Sequence, residues 1–500
     1  MGDRTAKVDV AIVGAGPAGL WAGISASGAG AVVSVIDENL RPGGQLVKQI
    51  HKFFGSAQHH AGQRGMAIAS GLYHQAEAAG CRFSLNRRVY GVYGRGPFRL
   101  AMATEGGTEY LDARSLILAT GASENALAFP GWTLPGVMTA GAIQTLVNLQ
   151  RVVPGHRVLM IGAGNVGLIV SYQLLLAGIS VAAVVDSKPD VGGYWVHAAK
   201  LAKAGVPLLT GHTILGVRGE ERVRSALVKD LRSPRQPVEI AVDTVCLAVG
   251  MTPSVRLVSL LGGHLVFEGG KGGFVPAGGE TVSGIPGLFA AGDASGVAEA
   301  SIAMEEGKMA GICASRYLGL ISEKEEQEKS RGIRETLAEL RQPVRPVREE
   351  FSPSLSLFSS PVRRVIMECP QEIPCNPCEK NCPRGAIKIG RPITNRPQVD
   401  HALCSGCGNC VAVCPGMACY LLEYDRGGEK AKLSFAYEGW PLVHRGDWVM
   451  AVAGDGRKLG RVQVEKVKSL KAYSATSVVT VAAGPELAPY IRGMARGENG

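Results

Sequence analysis

A short apolar run, "VAIVGAG" (10–16), opens the ordered pattern of the chain and ends in glycine, as a strand buried on both faces does. Behind it, "PAGLWAGISASGAG" is rich in alanine and glycine at helical spacing, and "VVSVID" (32–37) is again strand-sized. This alternation continues through residues 8–125, as in βαβ units. It restarts at "RVLMIGAGNVG" (157–167) and runs to about 250, and "GLFAAGDASGVAEASIAMEEGKMAG" (287–311) returns to the first pattern. Residues 322–342 are charged and helical in pattern, and the Pro- and Ser-rich stretch 341–361 reads as a linker. From 431 onward the period becomes two. "GDWVMAVAGDGRKLGRVQVEKV" predicts a hairpin with a "GDG" turn, and "SVVTVAA" a further strand of a small β domain such as a barrel.

Composition narrows the class. Five hundred residues suggest roughly three or four domains, and 46% apolar residues suffice for large cores. The net charge of +10 comes from scattered Lys and Arg without interleaved aromatics, so nucleic acid is not the expected partner and an acidic protein face fits better. No uncharged apolar run reaches the ~20 residues of a membrane helix, and the N-terminus shows no targeting pattern. Nine of the twelve cysteines fall between 369 and 419, while Cys81, Cys246 and Cys313 are solitary. Thiols kept reduced for metal ligation suit that distribution better than a secreted disulfide framework, so the expected location is cytoplasmic.

Two glycine motifs carry nucleotide chemistry. In the first, Gly14, Gly16 and Gly19 occupy G-x-G-x-x-G, with Pro17 and Ala18 opening the helix. The first glycine makes the tight turn, the second lets backbone N–H groups reach a pyrophosphate, and the third lets helix pack on strand. Asp37, followed by Glu38, ends the next strand near the ~20-residue offset of an acid that binds a ribose hydroxyl. The second motif keeps Gly162, Gly164, Asn165 and Gly167, with Asp186 one place later than Asp37 stands in its repeat. An acid there favours NAD over NADP, and Arg222 and Arg224 lie too far along to meet a phosphate. A duplicated domain could equally hold ADP or ATP statically. Cys81, Cys246 and Cys313 form no C-x-x-C pair, which argues against thiol chemistry beside a flavin.

The cysteine block is more specific. Cys404, Cys407, Cys410 and Cys414-Pro match C-x₂-C-x₂-C-x₃-C-P, the two-cluster bacterial ferredoxin run. Upstream, Cys369, Cys375, Cys378 and Cys382-Pro form its partner, with five residues in the first gap and Glu372 where the first cysteine usually stands. Either the extra residues bulge and deliver Cys369, or the site has three cysteines with Glu372 as an oxygen ligand or only three irons. The assignment adopted is Cys369. By the crossed rule, Cys369, Cys375, Cys378 and Cys414 hold one [4Fe–4S] cluster and Cys404, Cys407, Cys410 and Cys382 the other. Zinc sites rarely carry two such runs in tandem. Cys419 reads as packing, and the adjacent His59 and His60 as a solvated surface pair.

Three further stretches, "RPGGQL" with Gly44 and Gln45, "LILATGA" with Ala119, Thr120 and Gly121, and "GLFAAGDA" with Gly292 and Asp293, resemble the flavin-binding segments of two-dinucleotide-fold flavoproteins. The resemblance implies FAD in the first domain, held in part by Asp293, with the helix that begins near Ala298 and includes Ala300 aimed at the flavin. It also implies NAD(H) in the second. "FPGWTLPGVMTAGAIQTL" (129–146), "DENLRPGGQL" and "AEASIAMEEGKMAG" resemble more closely the flavoprotein subunit of multi-subunit amine-oxidising dehydrogenases: proline and hydroxyproline dehydrogenases, opine oxidase, hydrogen cyanide synthase and the α chain of sarcosine oxidase. That likeness covers about residues 5–320. It implies a partner of the glycine/D-amino-acid oxidase fold that carries its own FAD and oxidises the C–N bond, with a small [2Fe–2S] or other electron-transfer subunit conceivable as well. Asn125 stands where an arginine is common in that family, which puts that arginine's anion contact in doubt. No catalytic side chain is expected here.

The expected fold is thus an α/β two-dinucleotide-binding-domain flavoprotein. Its FAD domain (1–125 and 270–322) is interrupted by a second Rossmann-like domain (126–269). A helix and linker (323–361), a bacterial-ferredoxin-like α+β domain (362–428) and a small C-terminal β domain (429–500) follow. The expected function is electron transfer between FAD, NAD(H) and [4Fe–4S] clusters in an amino- or imino-acid dehydrogenase complex. The alternative is a self-sufficient NAD(P)H:acceptor oxidoreductase.

Overall fold

The apolar run at 10–13 becomes the centre of a sheet because all four of its side chains are buried. In the computed structural model, which describes residues 6–279, 284–343, 347, 363–425, 429–439 and 442–495, the strand Ala6–Val13 lies between Val33–Ile36 and Gly107–Leu118, parallel to both. Arg82–Ser84 extends one edge, and Phe98–Thr104 and Arg88–Tyr93 add antiparallel strands at the other. Leu288–Ala290 joins beside Gly107–Leu118, so the chain does return to its first sheet. The helices Pro17–Gly28 and Ala300–Tyr317 pack almost backbone to backbone. A Cβ added at Gly307 would fall 2.1 Å from the Ala18 carbonyl oxygen.

A second parallel sheet runs Leu208–Thr210, Ser180–Asp186, Arg157–Ile161, Thr244–Leu247, Val137–Thr139. It shares one core with the antiparallel strands His212–Arg218, Ser225–Asp230 and Val238–Ala241. The predicted GDG hairpin forms from Trp448–Val452 and Lys458–Ser469.

The chain divides into two compact units: Met1–Gln49, Gly65–Asn125 and Gly250–Gln342 in one, and Ile50–Arg64, Ala126–Val249 and Pro343–Gly500 in the other. Four details differ from the expected domains. Residues 250–269 belong to the first unit rather than to the inserted domain, because Met251–Pro253 pairs with Ala122–Glu124. The charged helix Glu323–Leu340, capped by Ser322 and Glu325, also joins the first unit, where it packs on Ala300–Tyr317. Residues 50–64 leave the first unit for the second. Finally, 362–428 and 429–500 are not separate layers. Their strands share one sheet, in the order Arg364–Met367, Cys419–Tyr424, Ala431–Tyr437, Ser477–Ala483, Lys458–Ser469, Trp448–Val452, Gly493–Met494. Among the described residues this sheet has two ends and no pairing that closes it into a barrel. Most of the linker expected at 341–361 lies outside the described residues. No described helix is long and apolar enough to cross a membrane.

Candidate cofactor and cluster sites

The first cradle is made by residues that cannot be larger. Gly14 takes φ +108°, and a Cβ there would sit 2.1 Å from the Ala119 carbonyl oxygen; one at Gly19 would sit 1.8 Å from that of Gly14. The helix therefore starts directly on the strand end, with Pro17 at its first turn, where a missing N–H costs nothing, and Ala18 buried. Gly44 closes over this turn. A Cβ on it would lie 2.8 Å from the Gly16 α carbon, while the Gly43 N–H donates to Ala15 O at 2.7 Å. Gln45, next in line, is exposed. Asp37 Oδ2 accepts the Ala15 N–H at 2.6 Å, and its Oδ1 accepts both N–H groups of Asn39 at 2.8 Å. Glu38 is exposed and pairs with Arg88.

Around the same strand ends, Thr120 donates to Ser254 O at 2.8 Å, and Gly121 turns the chain at φ +70°. Asn125 accepts from the Thr252 hydroxyl at 2.8 Å. Sequence reasoning missed Glu306. Its Oε2 accepts from the Gly292 N–H and the Ser295 hydroxyl, at 2.8 and 2.7 Å, while Arg341 holds Oε1 at 2.6 Å. Glu306 thereby fixes the Gly292–Ala294 turn that carries Asp293. Burial pushes the Asp293 carboxyl up to about 6, against the pull of the Ala298 N–H at 3.2 Å and with the push of Glu306 and Glu299. Ala300 opens the helix behind it. Glycine-lined backbone at a helix N-terminus, with two carboxyls alongside, suits the pyrophosphate and hydroxyls of a dinucleotide such as FAD.

The second cradle repeats the first. Gly162 has φ +109°, its added Cβ would meet Ala248 O at 2.2 Å, and one on Gly167 would meet Gly162 O at 2.0 Å. Asp186 Oδ2 accepts the Ala163 N–H at 2.7 Å, and its Oδ1 accepts the Lys188 N–H at 2.9 Å. Even the closing glycines recur. Gly192 and Gly193 follow Asp186 at the same offsets at which Gly43 and Gly44 follow Asp37, and the Gly193 N–H donates to Ala163 O at 3.0 Å. Gly164 precedes the helix Asn165–Leu176, and Asn165 Oδ1 accepts the Tyr194 N–H at 2.7 Å.

The cysteines sort into two environments. Cys369, Cys375 and Cys414 border one apolar cluster with Tyr194, Val196, Ile373 and Ala418. Burial pushes the Cys369 thiol up to about 12 and that of Cys375 and Cys378 well above the usual range, and in each the charge of Cys414 adds to the effect. Cys378 also feels Cys410, and Cys414 borders both apolar clusters. Glu372 is exposed. Cys378 and Cys410 sit inside a common core, Cys382 and Cys404 border it, and Cys407 is exposed. The two Cys-Pro residues are twins: Ala386 N–H donates to Cys382 Sγ at 3.2 Å and Ala418 N–H to Cys414 Sγ at 3.4 Å. Among the described residues no three His, Cys, Asp or Glu groups converge as tightly as ligands of a single ion do. Thiols around a cubane stand farther apart than the tetrahedral set of one ion.

Cys419, expected as mere packing, is buried with its thiol hydrogen-bonded to both Cys410 and Cys414. That bond outweighs burial at Cys414 and holds its thiol down to about 6. The His59–His60 reading also changes. His59 is buried, and its Nδ1 meets the Ser56 hydroxyl at 3.0 Å, closing a capping box.

Three lysines from outside the cysteine block reach its last loop. Lys52 donates to Ala412 O at 2.5 Å and Thr476 Oγ1 at 2.6 Å, Lys200 to Pro415 O at 2.5 Å, and Lys203 to Met417 O at 3.4 Å and the Tyr420 hydroxyl at 3.0 Å. Burial lowers all three ammonium groups, Lys52 and Lys203 to about 8, while the Cys414 thiolate pulls each upward. Only side chains in another part of the chain reveal these contacts, so no local signal could have found them.

Residues 8–307 match the model of the pyridine nucleotide-disulphide oxidoreductase family. The chain belongs to that family. Residues 373–418 match a 4Fe-4S dicluster domain, a span that begins after Cys369. Like its family, the chain is a flavin-dependent oxidoreductase in type, here extended by an iron–sulfur domain. Among its relatives is opine oxidase of Agrobacterium tumefaciens (strain Ach5), whose first component it matches at 31% identity over 343 residues, covering 63% of this chain and 66% of that one. It is 28% identical to the alpha component of sarcosine oxidase from Rhizobium meliloti (strain 1021), covering 63% of this chain and 31% of the other. The matches thus span less than two thirds of either relative. In fold it is similar to L-proline dehydrogenase from P. horikoshii, with TM-score 0.53, 21% identity, and coverage of 74% and 64% of the two chains. The family's disulphide chemistry has no cysteine pair to run on in the flavoprotein part. Cys81 is buried against Ser27, Cys246 is buried in the strand Thr244–Leu247, and Cys313 lies on the helix Ala300–Tyr317.

Proposed function

We propose that this chain is the electron-transfer flavoprotein and iron–sulfur subunit of a multi-subunit dehydrogenase acting on an amino or imino acid such as proline, hydroxyproline or sarcosine. In this reading Gly14, Gly16, Gly19, Asp37, Gly44 and Asp293 hold FAD. Gly162, Gly164, Gly167 and Asp186 hold NAD(H) or a static adenine nucleotide, and the two cysteine sets hold two [4Fe–4S] clusters. The carrying observation is the coexistence, on one chain, of two glycine cradles with two runs of four cysteines. Flavins exchange electron pairs and clusters single electrons, so such a chain converts between the two. C–N oxidation then falls to a partner, an FAD-bearing subunit of the glycine/D-amino-acid oxidase fold. The resemblance to subunits of opine and sarcosine oxidases supports this division of labour.

The intact second cradle favours one competing reading, a self-sufficient NAD(P)H:acceptor oxidoreductase. Anaerobic stopped-flow on the purified chain separates them. On the complex reading, NADH leaves the flavin oxidised on the turnover timescale, and bleaching requires a co-purifying subunit together with its amine. Rapid bleaching by NADH of the isolated chain overturns it in favour of the alternative.

A further inference from the structure

Three ammonium groups converge on one short loop and donate to its backbone carbonyls. Lys52 and Lys200 are buried at 4% and 6% exposure, Lys203 is partly buried, and none of them forms an ion pair among the described residues. The carboxylates buried in the same region, Glu438 beside Arg64 at 2.9 Å and Glu368 beside Arg492, also act on these lysines, Glu438 on Lys52 and Lys200 and Glu368 on Lys203. Buried cations are expensive unless nearby anions complete the site. The loop they hold, 412–417, carries Cys414.

We propose that Lys52, Lys200 and Lys203 are positioning residues that raise the reduction potential of the cluster on Cys369, Cys375, Cys378 and Cys414, making it the electron-accepting member of the pair. This rests on reading the cysteine block as a two-cluster module. A [4Fe–4S] centre with four thiolates is a dianion that becomes a trianion on taking one electron from reduced flavin or another one-electron donor. Burial alone would disfavour the extra charge and depress the potential. Fixed cations in the same low-dielectric pocket reverse that sign, because they attract the trianion more than the dianion. Around the other set, Cys407 is exposed, and Arg363, which packs against Gly406 of that loop, is paired with Glu423 at 2.8 Å. Sequence origin sharpens the point. Lys200 and Lys203 lie on the helix Trp195–Lys203 of the second dinucleotide domain and Lys52 in the 50–64 segment, so the flavoprotein part tunes a centre whose ligands it does not supply.

The test is a mediator-equilibrated redox titration of the full chain, followed by electron paramagnetic resonance, with iron and sulfide measured on every sample. Lys200→Gln is expected to lower the reduced-to-oxidised ratio of one centre about tenfold at fixed poise, about 59 mV for a one-electron couple, and to leave the other in place. Lys203→Gln shifts the same centre, Lys200→Arg restores it, and surface Lys324→Gln moves neither. Where Lys200→Gln fails to retain iron, Lys203→Gln and Lys52→Gln carry the measurement. Unchanged potentials in fully loaded Lys203→Gln and Lys52→Gln, or equal shifts in both centres, overturn the proposal. Wild-type chain that binds no iron overturns the two-cluster reading itself.

Discussion

Cys369 and Glu372 compete for one place in the upstream cysteine spacing, and burial separates them. A thiol beside three others, shielded from water, can stay a thiolate only if a metal takes the charge; an exposed carboxylate has no such need. Cys369→Ser is therefore expected to lower bound iron from about eight to about four per chain, or to leave a three-iron signal, whereas Glu372→Gln keeps the full complement. Iron analysis with paramagnetic resonance decides it. Asp293 gives a pH-dependent counterpart. Its carboxyl is raised from 3.8 to about 6, so its favourable contribution is complete below about 3.8 and lost as pH rises through about 6. In flavin-free chain, Asp293→Asn should add up to about 3 kcal/mol of stability at pH 8, and the gain should fade toward pH 4. Denaturant titrations at the two pH values measure this, and the same variant should retain less FAD. Glycines and cysteines were legible at this scale because spacing alone expresses their chemistry. Glu306, Lys52, Lys200 and Lys203 were not, since an ordinary charged residue acquires a role only from what folding brings beside it.

At the scale of elements, small residues decide how closely helix meets helix or strand. Gly307 faces the Ala18 carbonyl at a distance that admits no Cβ. Gly307→Val should separate Pro17–Gly28 from Ala300–Tyr317, costing about 3 kcal/mol and lowering flavin retention, whereas Gly332→Ala on the adjoining helix, with open space around it, should add up to about 1 kcal/mol through helix propensity and leave flavin retention unchanged. Thermal unfolding and the flavin-to-protein absorbance ratio read both effects. The repeated pattern of Asp37 with Gly43 and Gly44, and Asp186 with Gly192 and Gly193, was only half visible in sequence. The glycine motifs stood out, while "VGGYW" carries no signature until the Gly193 N–H is seen on Ala163. The GDG hairpin and the strand Ser477–Ala483 formed where period-two alternation placed them, because one face of each strand enters a core.

For the whole molecule, the cysteine block and the C-terminal strands behave as one piece. Cys419–Tyr424 pairs with Ala431–Tyr437, which pairs in turn with Ser477–Ala483, and Thr476 supports Lys52. A chain ended after Asp425 is expected to lose both clusters or fail to accumulate soluble, because an edge stripped of its neighbour exposes a hydrophobic face. Retention of about eight irons by that truncation would show the β strands to be an independent appendage.

By itself the sequence determined which chemistries this protein could carry: dinucleotide cradles from glycines that sterics make obligatory, and clusters from thiols whose short gaps leave few other uses. Both are local properties, written in spacings of a few residues. Where the inserted domain ends, which of Cys369 and Glu372 is buried, and which lysines stand against Cys414 were decided only by tertiary structure. Strand pairing between distant segments and the cost of burying charge depend on neighbours far apart in the chain.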